Sequence, residues 1–175
     1  YDLDDHHSVY ASYTDIFQPQ TEKDGTGAGI KPIVGENYEV GIKGEYFDGA
    51  LNASASLFQI DQLDRAAEVA DARRCKVIPV GSYGCYEAAG KVRSRGIEFE
   101  LNGALTPNWQ VGAGYTFAQA KYAKDADKAK EGRLFDTDLP RHLFKASTTY
   151  HLQGELKQWR VGAISHDDGV TVVEY

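Results

Sequence analysis

The sequence predicts an all-β fold: an antiparallel, up-and-down meander of about seven strands with one oily face and one wet face. Period-two alternation of side chains recurs along nearly the whole chain. The connections between the alternating stretches are short and long by turns. Aromatic residues gather near the stretch ends, at Tyr46, Phe47, Phe58, Trp109, Phe117, Tyr122 and Trp159. A soluble sandwich concentrates its aromatics between its sheets, whereas a barrel that crosses a membrane wears them as girdles.

The first stretch, HSVYASYTDIF, sets Val9, Ala11 and Tyr13 against Tyr10, Ser12 and Thr14. NYEVGIKGEYF follows, with Tyr38, Val40, Ile42 and Tyr46 on one side and Glu39, Gly41, Lys43 and Glu45 on the other. In ALNASASLF, Leu51, Ala53, Ala55 and Leu57 oppose Asn52, Ser54 and Ser56. RGIEFELNGAL sends Ile97, Phe99, Leu101 and Leu105 away from Glu98, Glu100 and Asn102. WQVGAGYTF separates Trp109, Val111, Ala113, Tyr115 and Phe117 from Gln110, Gly112, Gly114 and Thr116. Phe144, Ala146 and Tyr150 face away from Lys145, Ser147 and Thr149, and QWRVGAI opens a seventh strand. Phe47-Asp48-Gly49, Thr106-Pro107-Asn108 and segment 153–157 are the short connections; 18–36, 63–92 and 120–139 are the long ones. Tight turns at one end and long loops at the other are the habit of an outer-membrane barrel, with the turns periplasmic and the loops extracellular. The apolar face is expected to meet lipid and the charged face a wet lumen. A soluble β-rich domain that binds a partner through its aromatic face is the alternative.

A chain of 175 residues suffices for one ordinary domain. Its net charge of −7 argues against nucleic acid as a partner, which needs a basic face. No run of 18 apolar residues forms a membrane-spanning helix and no signal peptide is visible. The chain does not begin with methionine, as expected of a mature product or a fragment.

Chemistry-bearing clusters are sparse. Asp2, Asp4, Asp5, His6 and His7 could in principle hold a metal, but they fit a turn leading into the first strand. GTGAG, at 25–29, lacks the following helix and Lys-Ser/Thr of a phosphate loop. Segment 165–169 reads as a turn, and Glu98 and Glu100 alternate on one strand face where they line water. No nucleophile elbow is present, so neither a metal site nor an enzyme is expected. Cys75 and Cys85 sit in one polar loop outside any CxxC or zinc spacing. They read as a loop-closing disulfide worth about 2–3 kcal/mol in an oxidising compartment; two free thiols are the alternative.

Four runs together, YASYTDIF, GENYEVGIKG, SRGIEFEL and LPRHLFK, resemble the barrel of TonB-dependent ferric-siderophore receptors of the hydroxamate/pyoverdine-type branch. The resemblance implies a 22-stranded outer-membrane barrel around a plug, of which this chain would be an arc in the C-terminal half. Residues 1–163 would be partial barrel and 164–175 a divergent or artefactual tail. Implied too are a ferric siderophore as transported ligand, no covalently bound cofactor, and contact with TonB and the plug domain through a full-length parent. The arc alone is expected not to transport. At the receptor mouth, Arg73, Arg74 and Lys76 beside Cys75, with Tyr83 and Tyr86 around Cys85, become candidate substrate-binding residues for an anionic or catecholate-like chelate. Otherwise they are an ordinary solvated loop. A passive porin-like or structural barrel without a plug is a further alternative.

Overall fold

The computed structural model describes residues 1–69, 71–77, 84–125, 127–135, 140–166 and 169–174. Eight strands make one sheet in sequence order: β1 (His7–Gln18), β2 (Ile33–Tyr46), β3 (Leu51–Glu68), β4 (Tyr86–Thr106), β5 (Trp109–Lys124), β6 (His142–His151), β7 (Arg160–His166) and β8 (Gly169–Glu174). Every strand pairs antiparallel with the next. The eighth lies in the segment read from sequence as a tail, where it completes a hairpin with β7.

Register turns the alternation into rows. Val9, Ile42, Ala55, Phe99, Tyr115 and Phe144 are successive cross-strand partners from β1 to β6. The neighbouring row on the same face is Ala11, Val40, Leu57, Ile97, Phe117 and His142. On the opposite face Ser8, Lys43, Ser54, Glu100, Gly114 and Lys145 align. Because the side-chain period is two, a one-residue slip would exchange the oily and charged rows, so the pattern itself fixes the register.

Burial separates a membrane sheet from a soluble one. Among the described residues the buried hydrophobics are few, Ile33, Leu51, Ala67, Val69, Cys85 and Val92. Meanwhile Val40 is 52 % exposed and Leu57 57 %, in the middle of their strands. Tyr13, Tyr38, Ile42, Tyr46, Phe99, Trp109, Phe144 and Tyr150 share that exposed face. A contiguous apolar face of this kind requires a partner or lipid. From Tyr38 to Tyr46 it covers roughly 27 Å of strand; a tilt of about 40° reduces this to roughly 20 Å, near the apolar band of an outer-membrane barrel. No helix among the described residues is long and apolar enough to cross a membrane.

The ends of the strands differ. β2 turns into β3 through Phe47, Asp48 and Gly49, all left-handed, with φ of 55°, 54° and 81°, and Ala50 N–H closes the turn onto Phe47 O at 3.1 Å. A register shift between Ala104 and Thr106 precedes the β4–β5 turn. Gly103 next to it has φ 140°, and a Cβ there would meet Ala50 O at 2.1 Å. At the other end β3 and β4 run further than alternation predicted, shrinking the expected 63–92 loop to 69–85. The other long loops become 19–32 and 125–141. Alternation fails in these extensions because apolar residues fall on both faces among polar ones, Ile60 beside Leu63 and Ala66 beside Ala67, while the backbone ladder continues through a bulge between Gln62 and Arg65.

Candidate functional site

The three long loops meet at one end of the sheet and brace one another. Gln20 ties the first loop to β3: its side-chain amide donates to Lys31 O and, at 2.6 Å, to Asp64 O, and accepts from Ala66 N–H at 3.0 Å. Asp64 is the left-handed residue of the bulge, φ 59°, so Gln20 holds the strand where its ladder is broken. Arg65, next in the chain, lies over the Phe135 ring at 4.5 Å, which joins the third loop to the same point. That loop runs alongside β5 through Phe135 N–H to Ala120 O and Tyr122 N–H to Arg133 O. The third loop carries a 3-10 turn, Lys128–Lys130, capped by the Asp127 carboxylate.

The loop 69–85 lies against loop 19–32. Val77 N–H donates to Gly25 O at 3.0 Å and Tyr86 N–H to Lys23 O at 2.9 Å. Cys75 and Cys85 are joined as a disulfide. In the facing loop the Asp24 carboxylate accepts from the Thr26 hydroxyl, 2.7 Å, and from the amides of Thr26 and Ala28. The Thr26 hydroxyl, then its amide, hold the Asp24 carboxyl below its ordinary range.

Of the residues picked out by sequence, Arg73, Arg74 and Lys76 fall on one exposed segment that flanks Cys75. Arg74 is already engaged, its guanidinium 2.8 Å from Glu87. Arg73 and Lys76 have no carboxylate at ion-pair distance among the described residues. Tyr86 is a half-buried strand residue at the start of β4 rather than a loop residue. Tyr83 lies outside the described residues. The structure therefore unites the cations and Tyr86 around the disulfide, with two charges uncommitted among the described residues.

Sequence reading missed Asp61. It is 4 % exposed, and Arg93 grips it with Nε at 2.6 Å and a terminal nitrogen at 2.7 Å. Lys91 adds a third contact at 3.1 Å. The signal was three charged residues in two stretches whose pairing only the register reveals. On the polar face Tyr10 donates to Glu39 at 2.5 Å, and Lys43 sits 4.9 Å from the Tyr10 ring centre. Tyr10 rests over Gly41, where a Cβ would meet the ring at 2.6 Å. Glu98 accepts from Thr116 at 3.2 Å. These contacts link neighbouring strands across the polar face, with no group of metal ligands among the described residues.

A family model described as TonB dependent receptor-like, beta-barrel, matches residues 1–174. The ferric-pyoverdine M114 receptor PbuA of Pseudomonas sp. (strain M114) is 42% identical over 164 residues, covering 93% of this chain and 19% of the relative. The ferripyoverdine receptor of Pseudomonas aeruginosa is 41% identical over the same 93% of the chain and 19% of its own length. The crystal structure of the P. aeruginosa outer-membrane ferripyoverdine receptor bound to ferripyoverdine is similar with TM-score 0.80 and 39% identity. That match covers 95% of this chain and 21% of the receptor. The alcaligin outer-membrane receptor FauA of Bordetella pertussis is similar with TM-score 0.72 and 36% identity, over 95% and 27%. The chain thus spans about one fifth of the length of the curated relatives it matches.

Proposed function

Because the chain belongs to the TonB-dependent receptor β-barrel family, we propose that it is a membrane-spanning arc of a receptor that imports a ferric siderophore with energy delivered through TonB. The observation that carries this reading is the likeness to the ferripyoverdine receptor, TM-score 0.80 across 95% of the chain. The two faces of the sheet support it. The exposed oily rows meet outer-membrane lipid, and the rows of Lys43, Glu100 and Lys145 line the lumen. The short turns are then periplasmic and the three long loops extracellular.

The chain's own residues bind and orient; they break no bonds in the ligand. Arg73 and Lys76, tethered by the disulfide and uncommitted to carboxylates among the described residues, raise the local concentration of an anionic ferric chelate at the mouth. Arg74 is held by Glu87 and fixes the segment. The braced loops present these charges from a rigid base, which limits the ordering cost on binding. The ferric siderophore is the transported substrate, with no covalent cofactor. The plug and the contact with TonB belong to the rest of the parent, and the plug's movement opens the passage past the lumen face.

The test is uptake of a radiolabelled ferric pyoverdine-type siderophore by cells whose only receptor of this kind is the intact protein. Energy-dependent uptake that vanishes in cells lacking TonB is expected. Uptake that persists without TonB would indicate a passive pore and overturn the proposal.

A further inference from the structure

We infer that the tip of the loop between β1 and β2, residues 24–28, is the seat that positions Arg73 and Lys76 for the anionic chelate. Gly25 is its positioning residue, and the Cys75–Cys85 disulfide is the clasp that closes the cationic segment onto it. The inference rests on the reading that these two cations meet the ligand. GTGAG, at 25–29, lacks the surroundings of a phosphate loop, and its first glycine lies against the backbone of the cationic segment instead. A Cβ on Gly25 would stand 2.4 Å from Arg74 O, 3.3 Å from Arg74 C and 3.4 Å from Cys75 Cα. All three neighbours are backbone atoms, so no side-chain rotation relieves the clash. The chain between Arg73 and Lys76 would have to move by about 1 Å to restore van der Waals contact.

Both arms of the disulfide-closed loop hang on the same short piece of backbone. Val77, two residues after Cys75, donates its N–H to Gly25 O at 3.0 Å, and Tyr86, one residue after Cys85, donates to Lys23 O at 2.9 Å. The disulfide holds the two arms with Cα atoms 5.6 Å apart, and Cys85 is buried. A Cβ on Gly27 would touch the Val77 side chain at 3.4 Å, so the tip follows the segment beyond Gly25. Gly29 meets nothing within 4 Å and lies outside the seat. The seat is itself rigid. Asp24 N–H donates to Ala28 O at 2.8 Å and Gly27 N–H to Asp24 O at 3.0 Å, the Asp24 carboxylate closes the turn from within, and Gln20 fastens the loop to β3. Order passes from the sheet through this tip to the backbone of Arg74 and Cys75. The flanking Arg73 and Lys76 stay exposed, without a carboxylate at ion-pair distance among the described residues. A segment already held binds more tightly than one its ligand must order.

The experiment measures binding of a radiolabelled ferric pyoverdine-type siderophore to the intact receptor in detergent, together with amide hydrogen exchange. Gly25→Ala should weaken binding about fivefold, the ordering cost of two long side chains at its lower end. Exchange at the Val77 amide should accelerate, while the Thr26 and Ala28 amides, bonded within the tip, keep their rates. C75S/C85S opens the clasp and leaves the seat intact; it should show the same loss and gives the reading should Gly25→Ala fail to fold. Gly29→Ala should bind as the wild type does. R73Q/K76Q should lose at least as much as Gly25→Ala, and adding Gly25→Ala or C75S/C85S to it should cause no further loss, because residues that act through one contact are non-additive. A merely structural defect would lower affinity by the same factor in both backgrounds, and that result would overturn the inference. Weakened binding by R73Q/K76Q beside unchanged binding by Gly25→Ala would sink the inference alone. Wild-type binding by R73Q/K76Q would remove the reading of the mouth, and the inference with it.

Discussion

At the scale of single residues, two positions show how the backbone constrains sequence. Gly103 adopts φ 140°, and its missing Cβ makes room for Ala50 O at 2.1 Å. Gly103→Ala should therefore destabilise the intact barrel by about 2 kcal/mol, read as a lower urea midpoint in lipid vesicles; an unchanged midpoint would contradict the packing described. Asp24 organises loop 19–32 through the Thr26 hydroxyl and two amides. Its pKa is lowered on folding, first by the Thr26 hydroxyl. The stabilisation is then fully present above the unfolded value of about 4 and is lost as pH falls through the lower folded value. Hydrogen exchange at the Thr26 and Ala28 amides should accelerate relative to the rest of the loop below about pH 4, and Asp24→Asn should show that faster exchange already at neutral pH.

At the scale of elements, a strand's two faces predict opposite tolerances. Val40→Arg or Leu57→Arg, at mid-band on the exposed face, should cost about 2–4 kcal/mol in lipid vesicles. Ser56→Arg, the adjacent residue on the other face, should cost far less, since its side chain enters water. In the loop, R73E/K76E should weaken binding of an anionic ferric chelate about tenfold through lost attraction. The weakening should shrink as salt rises, as measured by fluorescence titration of the intact receptor; a salt-independent loss would point to misfolding. Most of the strand pattern was legible because Val40, Leu57 and Phe99 alternate with Glu39, Ser56 and Glu98. What escaped were the strand extensions around Arg65 and Tyr86, where apolar and polar residues mix on both faces and a bulge breaks the period. Asp61 escaped for a related reason. Its partners Arg93 and Lys91 lie across a loop, and only the ladder between β3 and β4 brings them within 2.6 and 3.1 Å. The Arg74–Glu87 pair depends in the same way on the loop 69–85 closing back on itself.

At the scale of the whole molecule, the sheet is explained by its solvent rather than by a core. Few described hydrophobics are buried, while Val40, Leu57, Phe99 and Phe144 stand exposed side by side, an arrangement that costs free energy in water and is stable in lipid. On the proposed reading, closure of a longer barrel pairs the outer edges of β1 and β8. Residues 1–3 already lie along the outer edge of β1, with Tyr1 and Val9 exchanging hydrogen bonds at 2.8 Å in both directions. The proposed division of labour follows from the same geometry: oily rows for the membrane, charged rows for the lumen, braced loops for capture. The central claim is the orientation of the two faces. It is tested by spin labels placed one at a time at Glu39, Val40, Gly41, Ile42, Ser56 and Leu57 of the intact receptor in lipid bilayers, with accessibility to oxygen compared with accessibility to a water-soluble nickel chelate. Labels at Val40, Ile42 and Leu57 should favour oxygen, and those at Glu39, Gly41 and Ser56 should favour the chelate. The absence of a two-residue alternation, or its reversal, would contradict the account.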